Sequence, residues 1–239
     1  MLQKQPAHKA TWRKPGRPKR TEAVMLAAST RIYRKLDRDE QLVIFGDPSE
    51  GGHSFCSAVA TSKKHADQPI VFNARMESAQ FGYELHKLAK YIERETGIFP
   101  EIAVERNTGQ ATIHVLQTLN YPYMFRMKVF DSIGSGEGSK IGWTMTEASR
   151  VKLLDDFALA VKQRMVTIYD QDVLGQMMTF VLKRLRSGSW KAVAESGRND
   201  DLVISAAGSW ELYLLIPATD FDNFDYDEWK SSQIKWRFK

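Results

Sequence analysis

Hydrophobic and polar positions along this chain follow two periods. Gln41 to Gly46 is a short apolar run, rich in branched residues and ended by Asp47-Pro48, the pattern of a buried strand. Phe55 to Thr61 and Ile70 to Ala74 repeat it, joined by the polar turn Ser62 to Gln68. From Ala79 to Thr96 the period becomes helical: Phe81, Leu85, Leu88, Ala89 and Ile92 share one stripe, and Gly97 stops it. Ile102 to Val104 predicts another short buried strand, and Thr108 to Leu119 a second helix. The Gly/Ser-rich stretch Ser132 to Ser139 predicts the tip of a hairpin between Arg126–Phe130 and Lys140–Thr144. Helices are predicted at Glu147–Val161 and Asp172–Leu182, then a strand at Trp190–Ala194 and a last helix from Asn199 to about Tyr213. Ahead of all these, Val24, Ala27, Ala28, Ile32 and Leu36 have helical spacing and predict a short helix over Glu22 to Leu36. The later alternation of strand and helix suggests an α/β fold with parallel strands and covering helices.

Length and composition narrow the class. A chain of 239 residues, 43% hydrophobic, suits one domain with tails. The composition divides it into a basic leader over residues 1–21, a domain over 22–215 and a tail over 216–239. No apolar run approaches the roughly 18 residues of a membrane span, and residues 1–20 lack the apolar stretch of a signal peptide. A single cysteine, Cys56, excludes an internal disulfide and cysteine-rich zinc sites and fits a reducing cytoplasm. The five histidines show no ligand spacing, and no G-x-x-x-x-G-K-[ST] loop is present, so the chain is not itself a P-loop ATPase.

The net charge of +5 favours a polyanionic partner, and it is unevenly spread. Lys4, Lys9, Arg13, Lys14, Arg17, Lys19 and Arg20 all precede the first acidic residue, Glu22. Such a leader is either merely solvated or an arm that grips a phosphate backbone; Gly16-Arg17-Pro18 resembles the core of a minor-groove AT-hook. In the tail, Asp220, Asp222, Asp225, Asp227 and Glu228 are interleaved with Phe221, Phe224, Tyr226 and Trp229. That pattern suits docking on a partner or on the domain, or a plain surface tail.

Three stretches carry the candidate chemistry. Asp47 ends the first strand, within Ile44-Phe45-Gly46-Asp47-Pro48-Ser49-Glu50-Gly51-Gly52. Glu105 follows Ile102-Ala103-Val104 directly, so it ends a buried strand, where a charge is costly unless paired or bound to a cation. Asp200 and Asp201 open the last helix behind Asn199, a natural N-cap. Each has an ordinary reading: Asp-Pro starts turns, Arg106 stands next to Glu105, and acidic residues favour helix N-termini. Arg106 is a poor partner, because adjacent strand residues point to opposite faces. Two adjacent helical aspartates diverge by about 100°, so only one can face a common point squarely. Converging carboxylates repel one another unless a cation lies between them, which implies a divalent metal.

Taken in order, with Lys140-Ile141-Gly142-Trp143-Thr144-Met145-Thr146 between the second and third, these stretches resemble the nuclease domain of the phage terminase large subunit, a member of the RNase H-like superfamily. The resemblance runs from about Leu42 to about Tyr213. It implies an α/β, RNase H-like fold, with a central mixed sheet of three antiparallel strands and then parallel strands flanked by helices. It also implies an endonuclease that cuts double-stranded, concatemeric viral DNA with two Mg2+ or Mn2+ ions, leaving 5′ phosphates and 3′ hydroxyls. Asp47 matches the metal-bridging aspartate of the first strand, Glu105 the second acidic residue and Asp201 the third ligand, with Asp200 as an outer contact or the alternative ligand. Lys140, Arg150 and Lys152 flank a hairpin and helix that touch DNA in the family, and Arg17, Lys19 and Arg20 would add a basic arm. One departure is His53-Ser54-Phe55, where relatives often carry a further aspartate after the glycines.

The implied partners are double-stranded DNA, a terminase ATPase subunit or domain, the small terminase subunit and the portal, in the cytoplasm of an infected or lysogenic bacterial host. The chain would be the nuclease part of a split or truncated terminase or a free-standing relative. The rivals are another RNase H-like nuclease, acting on junctions or RNA–DNA hybrids, and a non-catalytic module that docks a motor to DNA or portal.

Overall fold

The computed structural model describes residues 26–49, 55–130, 137–184, 190–194 and 199–218. The predicted leader, the tail beyond residue 218, the hairpin tip over 131–136, Glu50 to Ser54 and residues 185–189 and 195–198 lie outside them. The chain opens with β1 (Thr30–Ile32), β2 (Leu42–Asp47), β3 (Cys56–Ser62), β4 (Asp67–Gln68) and β5 (Ile70–Ala74), then α1 (Ser78–Thr96), β6 (Glu101–Val104) and α2 (Gln110–Thr118). It continues through β7 (Arg126–Phe130), β8 (Glu137–Ile141), α3 (Glu147–Lys162), β9 (Thr167–Ile168), α4 (Gln171–Met178), β10 (Phe180–Arg184), β11 (Trp190–Ala194) and α5 (Asp201–Leu215).

Five strands form one mixed sheet in the order β1-β5-β3-β2-β6. β2, β3 and β5 are the expected antiparallel meander, and β6 lies parallel to β2 after the α1 crossover. The sheet continues past β6, where Tyr123 to Phe125 and Trp143 hydrogen-bond to its outer edge at 2.8–2.9 Å. Because strand side chains alternate, the sheet serves two cores. Leu42, Ile44, Ala58, Ile102 and Val104 pack with Phe81, Leu85 and Ile92 of α1 and Leu116 of α2. Val43, Phe45, Val59 and Ala103 pack on the other side with Leu202, Ala206 and Trp210 of α5 and Phe157 of α3. Burial on both faces is why β2 and β3 read as continuous apolar runs.

Two elements differ from expectation. The helix predicted over Glu22–Leu36 is, in its described part, a turn followed by β1, which pairs antiparallel with β5. Extended geometry sends Arg31 and Tyr33 to the same side, where both reach Asp170 at 2.6 and 2.7 Å. That long-range anchor outweighs a local helical stripe. The helix predicted over Asp172–Leu182 ends at Met178, and Phe180–Arg184 pairs antiparallel with β11 instead. A short apolar run is periodic in either state, and the partner strand decides. The second hairpin strand also begins earlier than expected, at Glu137, and ends at Ile141.

α5 is buried from Leu202 through Leu212, wedged between the sheet and α3. Gly208 permits this closeness, since a Cβ there would lie 2.3 Å from Phe45 Cγ. In α4, a Cβ at Gly175 would meet nothing within 4 Å. Gly208→Ala is therefore expected to lose about 3 kcal/mol through overpacking, whereas Gly175→Ala gains up to about 1 kcal/mol of helix propensity. Urea denaturation of both variants checks the opposite signs.

Candidate metal centre

Strand register brings the first two carboxylates together. Gly46 of β2 pairs with Val104 of β6 in parallel, so the next residues, Asp47 and Glu105, stand side by side. The Glu105 amide donates to the Gly46 carbonyl at 2.8 Å. Asp47 follows Phe45 and Glu105 follows Ala103 by two positions, so both project to the α5 face. Their carboxyl groups hydrogen-bond to each other.

The turn beyond Glu105 is tightly held. Arg106 accordingly points away, its guanidinium donating to the Ile141 carbonyl at 3.0 Å. Asn107 donates to the Met145 carbonyl at 2.7 Å, so it ties the turn to the segment before α3 rather than capping α2. Thr108 donates to the Pro48 carbonyl at 2.8 Å, joining this turn to the one after Asp47. Gly109 is required by space alone, since a Cβ would lie 2.1 Å from the Glu105 carbonyl oxygen.

The third carboxylate arrives on α5. Ser57, paired directly with Asp47 across β2 and β3, donates to the Asp201 carbonyl at 2.8 Å. Asp201 thereby begins its helix beside the β2 terminus. Asp200, not the expected Asn199, occupies the N-cap position, but its side chain caps nothing. Its carboxylate accepts from Arg150 of α3 at 2.6 Å. The helix-start amide of Leu202, which has no partner within the helix, donates to the Gln176 side chain of α4 at 3.0 Å.

The electrostatics are those of uncompensated negative charge. Burial, the hydrogen bond and charge of Glu105, and the charges of Asp201 and Asp200 all push the Asp47 pKa well above its ordinary value. Burial, then Asp200, raises Asp201 to about 6. The donor set is all carboxylate oxygen, which suits hard divalent ions such as Mg2+ or Mn2+, and cation charge is what the cluster lacks. The oxygens of Asp47, Glu105 and Asp201 do not all lie within 4.8 Å of one another. Among the described residues Asp37, Glu40 and His65 do, but that trio is already neutralised. Glu40 is gripped by Arg34 at 2.5 Å, and Asp37 by Lys64 and His65 at 2.8 and 2.9 Å.

The basic residues fall in three groups. Lys140 is exposed on β8. Arg150 is engaged with Asp200, and Lys152 reaches Asp156 at 2.7 Å and the buried Glu211 of α5 at 2.6 Å. Arg17, Lys19 and Arg20 lie outside the described residues. Sequence reasoning overlooked Ser57, Ser205 and Gln176. The available signal was Ser205 and Ser209 recurring four and eight residues after Asp201 in an otherwise apolar helix.

No protein-family model matches this sequence, and no curated protein sequence does. Solved structures do match. The large terminase nuclease domain of Thermus phage P74-26 superposes with a TM-score of 0.61 at 14% identity, over 82% of this chain and 91% of that one. The large terminase nuclease of thermophilic phage G20c gives 0.58 at 15% identity over 79% and 91% of the two chains. The same nuclease with bound magnesium gives 0.58 at 16% identity over 78% and 89%. The chain thus has the fold of the large-terminase nuclease domain, the RNase H-like architecture with its mixed sheet and flanking helices.

The raised acid pKa values have a consequence for stability. The metal-free fold holds protons that the unfolded chain releases at ordinary carboxylate pKa, so stability falls as pH rises from about 4 through 6 and above. The metal-free protein is expected to melt at higher temperature at pH 5.5 than at pH 7.5. Asp47→Asn should flatten that slope and stabilise the fold at pH 7.5 by about 1 kcal/mol, or about 2–4 °C. Scanning calorimetry in chelator checks both.

Proposed function

We propose that this chain is a divalent-metal-dependent endonuclease that cuts double-stranded DNA, acting on concatemeric viral DNA during genome packaging. The observation that carries the reading is the meeting of Asp47, Glu105 and Asp201, from three distant segments, on one face of the sheet at the carboxyl ends of its parallel strand pair. The fold of the P74-26 and G20c nucleases supports it, and the magnesium-bound form of the latter supports the choice of metal.

In this reading Asp47, Glu105 and Asp201 would hold the divalent ions, with Asp47 as the carboxylate common to two of them. Bound ions supply an activated water and neutralise charge on the scissile phosphodiester and its leaving oxygen. The protein's own part is placement and proton control. Asp47 and Glu105 sit on the ends of paired strands, which hold them to the tolerance that metal chemistry needs. Burial and neighbouring carboxylates favour the protonated form of Asp47 and raise Asp201 to about 6, so a cation would have to displace protons from both. Metal affinity and cleavage therefore rise with pH through the range in which these acids ionise. The salt bridge with Arg150 holds the Asp200 carboxylate, leaving Asp201 as the preferred ligand.

Lys140 would offer an exposed ammonium group from β8, Arg150 and Lys152 would add partly committed cations, and Arg17, Lys19 and Arg20 would extend the grip on the backbone. Contacts of that kind bind any sequence and weaken steeply with salt. Packaging would place the protein with a terminase ATPase, small subunit and portal in the cytoplasm of an infected bacterium. Among the described residues no helix is long and apolar enough to cross a membrane.

Supercoiled plasmid incubated with the protein and Mn2+ or Mg2+ is expected to be nicked and linearised. Asp47→Ala and Glu105→Ala should fall to background, and chelator should abolish cleavage. Cleavage confined to four-way junctions or RNA–DNA hybrids would replace the packaging role with that of another RNase H-like nuclease. DNA binding without cleavage under any metal would make the chain a docking module.

A further inference from the structure

α5 poses a rotational problem. Eleven successive residues, Leu202 to Leu212, are buried, and apolar burial is non-directional, so it does not choose which first-turn residue meets the sheet. Directional contacts have to make that choice. Asp201, Ser205 and Ser209 form one stripe, because four residues advance a helix by one turn plus about 40°. Ser205 Oγ lies 2.6 Å from Ser57 Oγ, which in turn donates to the Asp201 carbonyl at 2.8 Å. One turn further on, Thr61 donates to Ser209 at 2.7 Å, and Gln68 donates to the Ala206 carbonyl at 2.9 Å.

The four hydroxyl residues of this seam are fully buried and Gln68 nearly so. Any other rotation of α5 would leave those polar groups unpaired, which is costly in a dry interior. At the head of the helix, Gln176 takes over the capping of the Leu202 amide. Asp200 is thus released from the usual duty of an acid at the N-cap.

We infer that Ser57, Ser205 and Gln176 are positioning residues that fix the rotation of α5, delivering Asp201 rather than Asp200 to Asp47 and Glu105. Ser57 is the pivot: it is the strand partner of Asp47 and the hydrogen-bond partner of the Asp201 backbone. The inference rests on the proposed metal site and deepens it, assigning the outer residues that aim its third ligand. Losing such outer partners typically weakens metal binding 10–100-fold.

The test is calorimetric titration of the full chain with Mn2+, which needs no turnover, alongside melting temperatures. Ser57→Ala, Ser205→Ala and Gln176→Met are expected to weaken Mn2+ binding tenfold or more. Gln176 is only half-buried, so that variant keeps the test alive if a serine variant fails to fold. Leu212→Ala, a cavity in the same helix far from its start, should lower the melting temperature at least as much while leaving the Mn2+ Kd within about threefold. Unchanged affinity in the folded positioning variants, or equal weakening in Leu212→Ala, would overturn the inference and reduce the seam to ordinary stabilisation. Failure of the unaltered protein to bind Mn2+ would instead sink the metal-site reading on which it stands.

Discussion

Parallel pairing of β2 with β6 forces two acids into contact. Neighbouring strands lie about 4.8 Å apart, and register makes Asp47 and Glu105 the next pair in the ladder, both turned toward α5. Burial and the neighbouring carboxylates, Glu105 foremost and then Asp201, push the Asp47 pKa well above its ordinary value. The surrounding structure makes this expensive arrangement rigid. Two turns are tied together through Thr108 and Pro48, a segment before α3 is clamped by Asn107, and α5 lies close enough to the sheet to need glycine at position 208. The proposed cation would relieve the repulsion that this rigid arrangement maintains.

The role of α3 follows from the same constraint. Its basic residues reach two acids of α5, Arg150 to Asp200 at the head of the helix and Lys152 to Glu211 near its end. These pairs brace α5 against α3 on the side opposite the serine seam. They also distinguish two adjacent acids: Asp200 is held by Arg150, whereas Asp201 makes no such ion pair among the described residues.

Much of this was legible in the sequence, and the exceptions have physical causes. β2, β3, β5 and β6 were readable because burial on both faces writes continuous apolar runs, and α1 because one buried face writes a stripe. Asp47 and Glu105 stood out as charges directly after such runs. β1 was misread because its conformation is set by pairing with β5 and by Asp170, more than a hundred residues away. The helix predicted over Asp172–Leu182 failed at Phe180 because its partner, β11, is also remote. The choice between Asp200 and Asp201 was open in sequence because it depends on the rotation of a nearly all-apolar helix. That rotation shows itself in contacts with residues remote in sequence, Ser57, Thr61, Gln68 and Gln176 among them. The pairing of Arg150 and Lys152 with α5 is equally a product of tertiary structure.

The most direct test of the cluster as a divalent-cation site is anomalous diffraction from crystals of the protein soaked in Mn2+. The expected result is two anomalous peaks at the β2 and β6 termini, with Asp47 touching both, Glu105 and Asp201 each touching one, and Asp200 still on Arg150. No peak there at saturating Mn2+, or a peak only at Asp37, Glu40 and His65, would contradict it.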